Sequence, residues 1–333
     1  MLLLSESEIH TLLTPSEALE AMRSSFIAHD RGAVEKPDVI TLEFDEHGAD
    51  VHAKGSYIHG DPTWAVKVAS SFPGNNRSGE PVHSGLSLVF SSSSGYLEAI
   101  LLDNGYLTEL RTGATGALAT DLLSRADAST VAVIGAGSQA RFQLDALLRV
   151  RKIDTVRVLS RRRAHAERYA LDARTRYGVT VQVCDSGEEA VAGADIVVTT
   201  TPSREPVVEG AWLEPGTHLT AIGCDSPGKR ELDAECLRRA AVVVVDDPDQ
   251  AITHGELQHA ARDGSWDVSR TVALGALLQG KARGRLDDRG ITIADLSGVG
   301  SQDAAIASLA YSKAVARGIG RRIAEARFPE ETK

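Results

Sequence analysis

Four short runs of this 333-residue chain hold side chains that could do chemistry. Lys67 stands in the apolar run WAVKVAS, Arg111 in LTELRTGATGALA and Asp225 in TAIGCDSPGKREL. Such a polar set suits a small anionic substrate. Lys67 reads in two ways: a buried or half-buried ammonium beside a ligand, or a charge protecting an edge strand. The fourth run, VAVIGAGSQARFQLDALL, reads as a strand, a tight turn and a helix. Gly135 allows the sharp turn, Gly137 lets the backbone approach a pyrophosphate, and Ala140 is small enough for close packing of helix on strand. The first helical residues, Ser138, Gln139 and Ala140, then offer N–H groups to the anion. The competing reading is a glycine turn that serves packing alone.

The next strand decides which dinucleotide is expected. An acidic residue at its end would hold the ribose hydroxyls of NAD and repel the 2′-phosphate of NADP. Here the chain reads VRVLSRRR, and Ser160, Arg161, Arg162 and Arg163 offer a hydroxyl and guanidinium forks suited to phosphate. NADP is therefore expected in preference to NAD. Not all three arginines can face the ribose, and some read equally as a solvated helix start.

These residues need elements to position them. Thr14-Pro15-Ser16-Glu17 is a helix start, so a helix is expected from about Pro15 to Asp30, stopping near Gly32. Short apolar runs from Val39 to Asp103 read as strands, with the serine run 91–94 and Gly95 as a hairpin turn. After Thr112, GATGALATDLLSR looks helical. From Thr130 on, strands are expected at 130–134, 155–159, 180–184, 195–200, 218–222, 241–246 and 291–294, with helices between most of them. That alternation predicts an α/β fold with a Rossmann-type, doubly wound parallel sheet. A last helix, from about Gln302 to Phe328, is expected to return to the N-terminal part. The expected division is a discontinuous α+β domain, residues 1–117 with 304–333, and a dinucleotide-binding domain, residues 118–303.

Composition narrows the partners. The formal net charge of -10 argues against a nucleic-acid binder, and no apolar run approaches the ~20 residues of a membrane span. Met-Leu-Leu-Leu is too short for a signal peptide and Glu6 and Glu8 follow at once, so a soluble cytoplasmic protein is expected. Cys184, Cys224 and Cys236 have neither disulfide nor zinc spacing, and HGELQH lacks the HExxH order, so no metal is expected.

Taken in order, KPDVI, WAVKVASSF, YLEAILLDNGYLTELRTGATGALA, VAVIGAGSQA, DIVVTTTPSREPVV, AIGCDSPGKREL and ADLSGVGSQDAAIA resemble the ornithine cyclodeaminase and mu-crystallin family over nearly the whole chain. The resemblance implies a nicotinamide-binding domain, a second domain that builds a homodimer and much of the substrate site, and chemistry on amino acids through their imines. It implies that Arg111 clamps the substrate α-carboxylate and that Lys67 lies beside the reacting nitrogen. Asp225 is then the general acid/base, with a structural helix cap near Glu231 as its alternative role. Thr112 and Asp303 are implied to contact the cofactor or orient its neighbours. Ornithine-cyclising members carry a glutamate upstream of the lysine, and Lys54, in VHAKGSY, stands at the matching position. A cation there repels a substrate ammonium and attracts a carboxylate, unless Lys54 is a surface lysine. The expected enzyme is an NAD(P)-dependent reductase of a small α-imino acid, with a dicarboxylate such as iminosuccinate among the substrates expected. Its alternatives are an ammonia-releasing cyclodeaminase and a non-catalytic, crystallin-like nucleotide binder.

Overall fold

This computed structural model describes residues 1–323, apart from the side chains of residues 76 and 77. The chain opens with β1 (Leu2–Ser5), α1 (Glu6–His10) and α2 (Pro15–Asp30). Six strands follow: β2 (Val34–Glu35), β3 (Ile40–Phe44), β4 (Ala49–Ile58), β5 (Thr63–Ser71), β6 (His83–Ser91) and β7 (Leu97–Leu102). Helix α3 (Tyr106–Leu123) leads to β8 (Thr130–Ile134), α4 (Ser138–Leu147), β9 (Thr155–Leu159), α5 (Arg163–Tyr177) and β10 (Thr180–Val183). Next come α6 (Gly187–Val191), β11 (Ile196–Thr199), β12 (His218–Ala221), α7 (Ala234–Arg239), β13 (Ala240–Val245), α8 (Pro248–His254) and α9 (Leu257–Asp263). The chain ends with β14 (Thr271–Ala273), α10 (Leu274–Leu278), β15 (Ile291–Asp295), α11 (Gly300–Arg317) and β16 (Arg321–Arg322).

Two compact units result. The first comprises residues 1–14, 33–108 and the chain from Gly300 on; the second comprises residues 15–32 and 109–299. The second unit holds an eight-stranded sheet in the order β10-β9-β8-β11-β12-β15-β13-β14, every pair of it parallel. Strand order reverses between β8 and β11, the switch point at which open parallel sheets bind ligands beyond the carboxyl ends of their strands. Apolar side chains cover both faces, as parallel sheets require: Val131, Val133 and Ile196 pack toward α4 and α5, while Ala132, Ile134 and Val197 pack into the opposite core.

The first unit holds a mixed eight-stranded sheet, β16-β1-β7-β6-β5-β4-β2, with β3 also on β4. Its faces differ. Thr63, Ala65, Lys67, Ser87, Val89 and Ala99 are buried on one face, where α11 lies across β4, β5 and β6. On the other face Trp64, Val66, Leu88 and Phe90 are apolar and only part-buried.

The fold corrects several expectations. Helix α2 was expected with residues 1–117 but packs in the nucleotide unit. Gly275 of α10 comes so close that a Cβ there would sit 2.2 Å from the Phe26 carbonyl oxygen, and His29 bonds Asp247 at 2.9 Å. The division falls at 108 and 299, not at 117 and 303. Helix α3 begins at Tyr106, where the Asp103 carboxylate accepts from Leu107 N at 3.0 Å, so Arg111 and Thr112 are helical residues. Strand β14 had no expected counterpart, because three residues carry no readable periodicity. Helix α11 ends at Arg317, where Gly318 takes a positive φ, and not near Phe328, which lies outside the described residues. No described helix is long and apolar enough to cross a membrane.

Candidate active site

Gly135 leaves β8 with φ +102, and a Cβ there would fall 3.0 Å from the Thr200 carbonyl oxygen, so both conformation and space demand glycine. Gly137 differs. Its φ of -79 is ordinary, and a Cβ would meet no atom within 4 Å. Nothing in the chain itself requires glycine at 137, whereas a pyrophosphate seated against the backbone does. Gly137 is also the N-cap of α4 and has no side chain to occupy the first-turn N–H groups. Ala140 is fully buried behind the turn. The residues present therefore fit a dinucleotide.

Ser138 and Gln139 have side chains turned elsewhere. Gln139 Nε2 donates to Glu109 Oε2 at 2.5 Å, and the Ser138 hydroxyl bonds the same carboxyl, so only their backbone N–H groups remain for the anion. At the end of β9, Arg161 and Arg162 are exposed, with Arg162 as the N-cap of α5. Arg163 is committed to Glu167 and Asp185. Ser160, Arg161 and Arg162 are thus the residues of that run available to a 2′-phosphate.

In the first unit Lys67 is 6% exposed and lies on β5, an interior strand between β4 and β6. The edge-strand reading is excluded. Its ammonium lies 2.9 Å from Asp303 Oδ2, on the first turn of α11, and Asp303 is itself 3% exposed. A buried ammonium is stable only with such a partner. Asp103, also buried, lies within electrostatic reach of Lys67, and burial raises its carboxyl above the ordinary range. Lys54 stands directly opposite Lys67 in the β4–β5 register, so the two side chains leave the same face of the sheet. Lys54 is half-buried and on an interior strand, not an edge.

In the second unit Arg111 is 6% exposed, and its guanidinium lies flush on Gly298, where a Cβ would meet Nη1 at 2.8 Å. Thr112 follows on α3, its carbonyl accepting from Gln143 Nε2 at 3.0 Å. Asp225 follows β12, 49% exposed, and accepts from Lys229 Nζ at 2.5 Å and Ser226 Oγ at 3.1 Å. It is no helix cap: α7 starts at Ala234, and Asp233 caps it. Glu231, expected to begin that helix, is instead a buried carboxylate collecting Thr199 Oγ1, Thr201 N, Thr201 Oγ1 and Gly223 N at 2.6–2.7 Å. It ties together the loops beyond β11 and β12, the latter carrying Asp225. Glu231 and Glu109 were missed by sequence reasoning. The only trace of either was an acidic residue beside a named motif position, which says nothing about burial.

A doubly wound sheet with this turn and helix N-terminus defines a Rossmann-type dinucleotide-binding protein. The chain belongs to the ornithine cyclodeaminase/mu-crystallin family, whose model matches residues 1–318. It is similar to an archaeal alanine dehydrogenase dimer with bound NAD, at TM-score 0.91 and 36% identity over 97% of this chain and 99% of that one. It is similar to the Δ1-pyrroline-2-carboxylate reductase of Thermococcus litoralis, solved with NADH and L-proline, at TM-score 0.93 and 31% identity over 97% and 100%. A third likeness is to the iminosuccinate reductase of Paracoccus denitrificans, in complex with NAD+, at TM-score 0.88 and 28% identity over 96% and 98%.

Proposed function

We propose that this protein reduces the imine of a small α-imino acid, and in reverse oxidises the corresponding amino acid. It is an NAD(P)-dependent oxidoreductase acting on CH–NH2 and C=N groups. The substrate favoured is a dicarboxylate of the iminosuccinate type, and the observation that carries this is Lys54 standing opposite Lys67 on one sheet face. In that arrangement Lys67 serves the reacting nitrogen, and Lys54 adds a second positive charge on the same face, which attracts a further carboxylate. Arg111, its planar fork fixed on Gly298, binds the α-carboxylate in a bidentate manner. Lys67, oriented by Asp303, passes a proton at the substrate nitrogen, and the accessible Asp225 carboxylate is the general acid/base. The dinucleotide, when bound, supplies the hydride. Arg161, Arg162 and Ser160 support acceptance of the 2′-phosphate of NADP, while the similar structures above hold NAD or NADH. A homodimer built on the strand-rich unit completes the reading.

One panel tests it: oxidation of NADPH and NADH with pyruvate, oxaloacetate, glyoxylate and cyclic imines, each with ammonium or methylamine. Oxaloacetate with ammonium should give the highest kcat/KM, and Asp225→Asn should abolish turnover while dinucleotide binding survives. Ammonia release from ornithine without net dinucleotide turnover would replace this reading with a cyclodeaminase.

A further inference from the structure

At Gly113 helix α3 comes so close to the backbone of α4 that only glycine fits, and at Gly116 it lies against the Gln143 side chain. A Cβ on Gly113 would fall 2.6 Å from the Phe142 carbonyl oxygen, and one on Gly116 would fall 2.0 Å from Gln143 Oε1. Gln143 Nε2 ties the seam, donating to the Thr112 carbonyl and to Gln139 Oε1, each at 3.0 Å. Helices packed this closely do not slide independently, so Arg111 and the first turn of α4 are held in fixed relation. Glu109 ends the seam. Its carboxylate accepts from Gln139 Nε2 at 2.5 Å and from the Ser138 hydroxyl, and the Arg111 charge acts on it from the same helix. The other charged side chain of this turn, Arg141, is turned away, donating to the Ala136 and Gly137 carbonyls and to Asp172.

Ser138 and Gln139 are the first two residues of the helix whose N-terminus is read above as the pyrophosphate site, and the inference rests on that reading. A carboxylate bonded to both is an anion at the place where another anion is to arrive. Desolvation by burial already pushes Glu109 up to about 7, against the lowering effects of Ser138, Arg111 and Gln139. A pyrophosphate near the same turn adds like-charge repulsion and pushes it higher. We infer that Glu109 is a positioning residue shared by two anion sites: ionised, it balances Arg111, and it takes up one proton from solvent when the dinucleotide reaches α4. The balance is one carboxylate and one proton giving one carboxylic acid, with no other bond changed. Once Glu109 is neutral, the Arg111 charge is turned to the substrate carboxylate. The dinucleotide and the substrate carboxylate are therefore positively coupled, each binding more tightly when the other is bound.

Titration calorimetry of NADH and NADPH into the full-length protein, in two buffers of different ionisation enthalpy, reads the proton directly. Between pH 7 and 8.5 uptake should approach about one proton per site, and Kd should rise by up to about tenfold per pH unit. The sign follows from the shift: the complex binds the extra proton, so affinity is lost as pH climbs above the pKa of the ligand-free protein. Glu109→Gln should remove both effects while leaving affinity at pH 6, where the parent carboxyl is already protonated, within about threefold of the parent. A purely structural Glu109 predicts instead an equal loss at every pH. Should that variant fail to fold, the parent alone decides: buffer-independent heats and a flat Kd overturn the inference. Failure of either dinucleotide to bind at any pH overturns the nucleotide reading itself.

Discussion

Lys54 and Lys67 face each other across two antiparallel strands, and like charges so placed repel unless counter-charges intervene. Asp303 is committed to Lys67. A substrate carboxylate beside the pair would offset that repulsion further, and this is the basis on which a dicarboxylate is proposed. Lys54→Glu should then lower kcat/KM for the oxaloacetate-derived imine by about 1–3 kcal/mol more than for the pyruvate-derived one. Equal losses on both would move Lys54 to the α-carboxylate, and no loss would return it to the solvent. The glycine turn gives a second contrast. Gly135→Ala places a Cβ against the Thr200 carbonyl in a positive-φ residue, so thermal unfolding should show a loss of about 1–3 kcal/mol. Gly137→Ala meets no protein atom, so its Tm should match the parent while dinucleotide affinity falls by about tenfold or more. A Gly137→Ala protein that binds NADH or NADPH normally would remove the steric argument for the pyrophosphate there.

Among the elements, what was legible followed from local signals. The Thr14-Pro15 start and Gly32 stop bracket α2 correctly, and buried hydrophobic runs gave β8, β9 and β12 within a residue, because apolar strands between glycine and polar turns have few alternatives. What was illegible depended on tertiary contact. Nothing local says that α2 leaves its sequence neighbours to pack on Gly275, or that α3 starts a turn and a half before Thr112 under an Asp103 cap. For the site, Gly135, Lys67, Arg111 and Asp225 were legible as residue types in motifs. Asp303 as the partner of Lys67, and Glu109 beneath α4, needed the fold, since each pair is far apart in sequence. The β9–α5 turn carries the element-scale prediction. With Arg163 held by Glu167 and Asp185, the preference for NADPH over NADH should fall on Arg161→Ala and on Arg162→Ala, and stay unchanged on Arg163→Ala. Equal Kd values for the two dinucleotides in the parent protein would dispose of the NADP preference.

At the scale of the whole molecule, the mixed sheet poses a problem that a lone chain does not solve. The family resemblance implied a homodimer without saying which surface builds it, and the structure puts apolar surface on a face of the sheet. Opposite α11, Trp64 stacks on Phe90 at 4.3 Å, Val66 pairs with Leu88, and β3 extends the same face with Ile40 and Leu42, 65% and 54% exposed. A contiguous apolar face of several strands is unusual on a monomer and suits a self-complementary contact about a two-fold axis. A second copy of the chain is the occupant proposed, in keeping with the similar alanine dehydrogenase being a dimer. Light scattering at micromolar concentration should therefore give at least twice the mass of one chain. Val66→Lys combined with Leu88→Lys, both part-buried positions on that face, should shift the mass toward one chain, because desolvating four ammonium groups per dimer costs several kcal/mol. A monomeric parent would end the dimer reading, and a doubly substituted protein that still assembles would place the interface on another surface of the strand-rich unit.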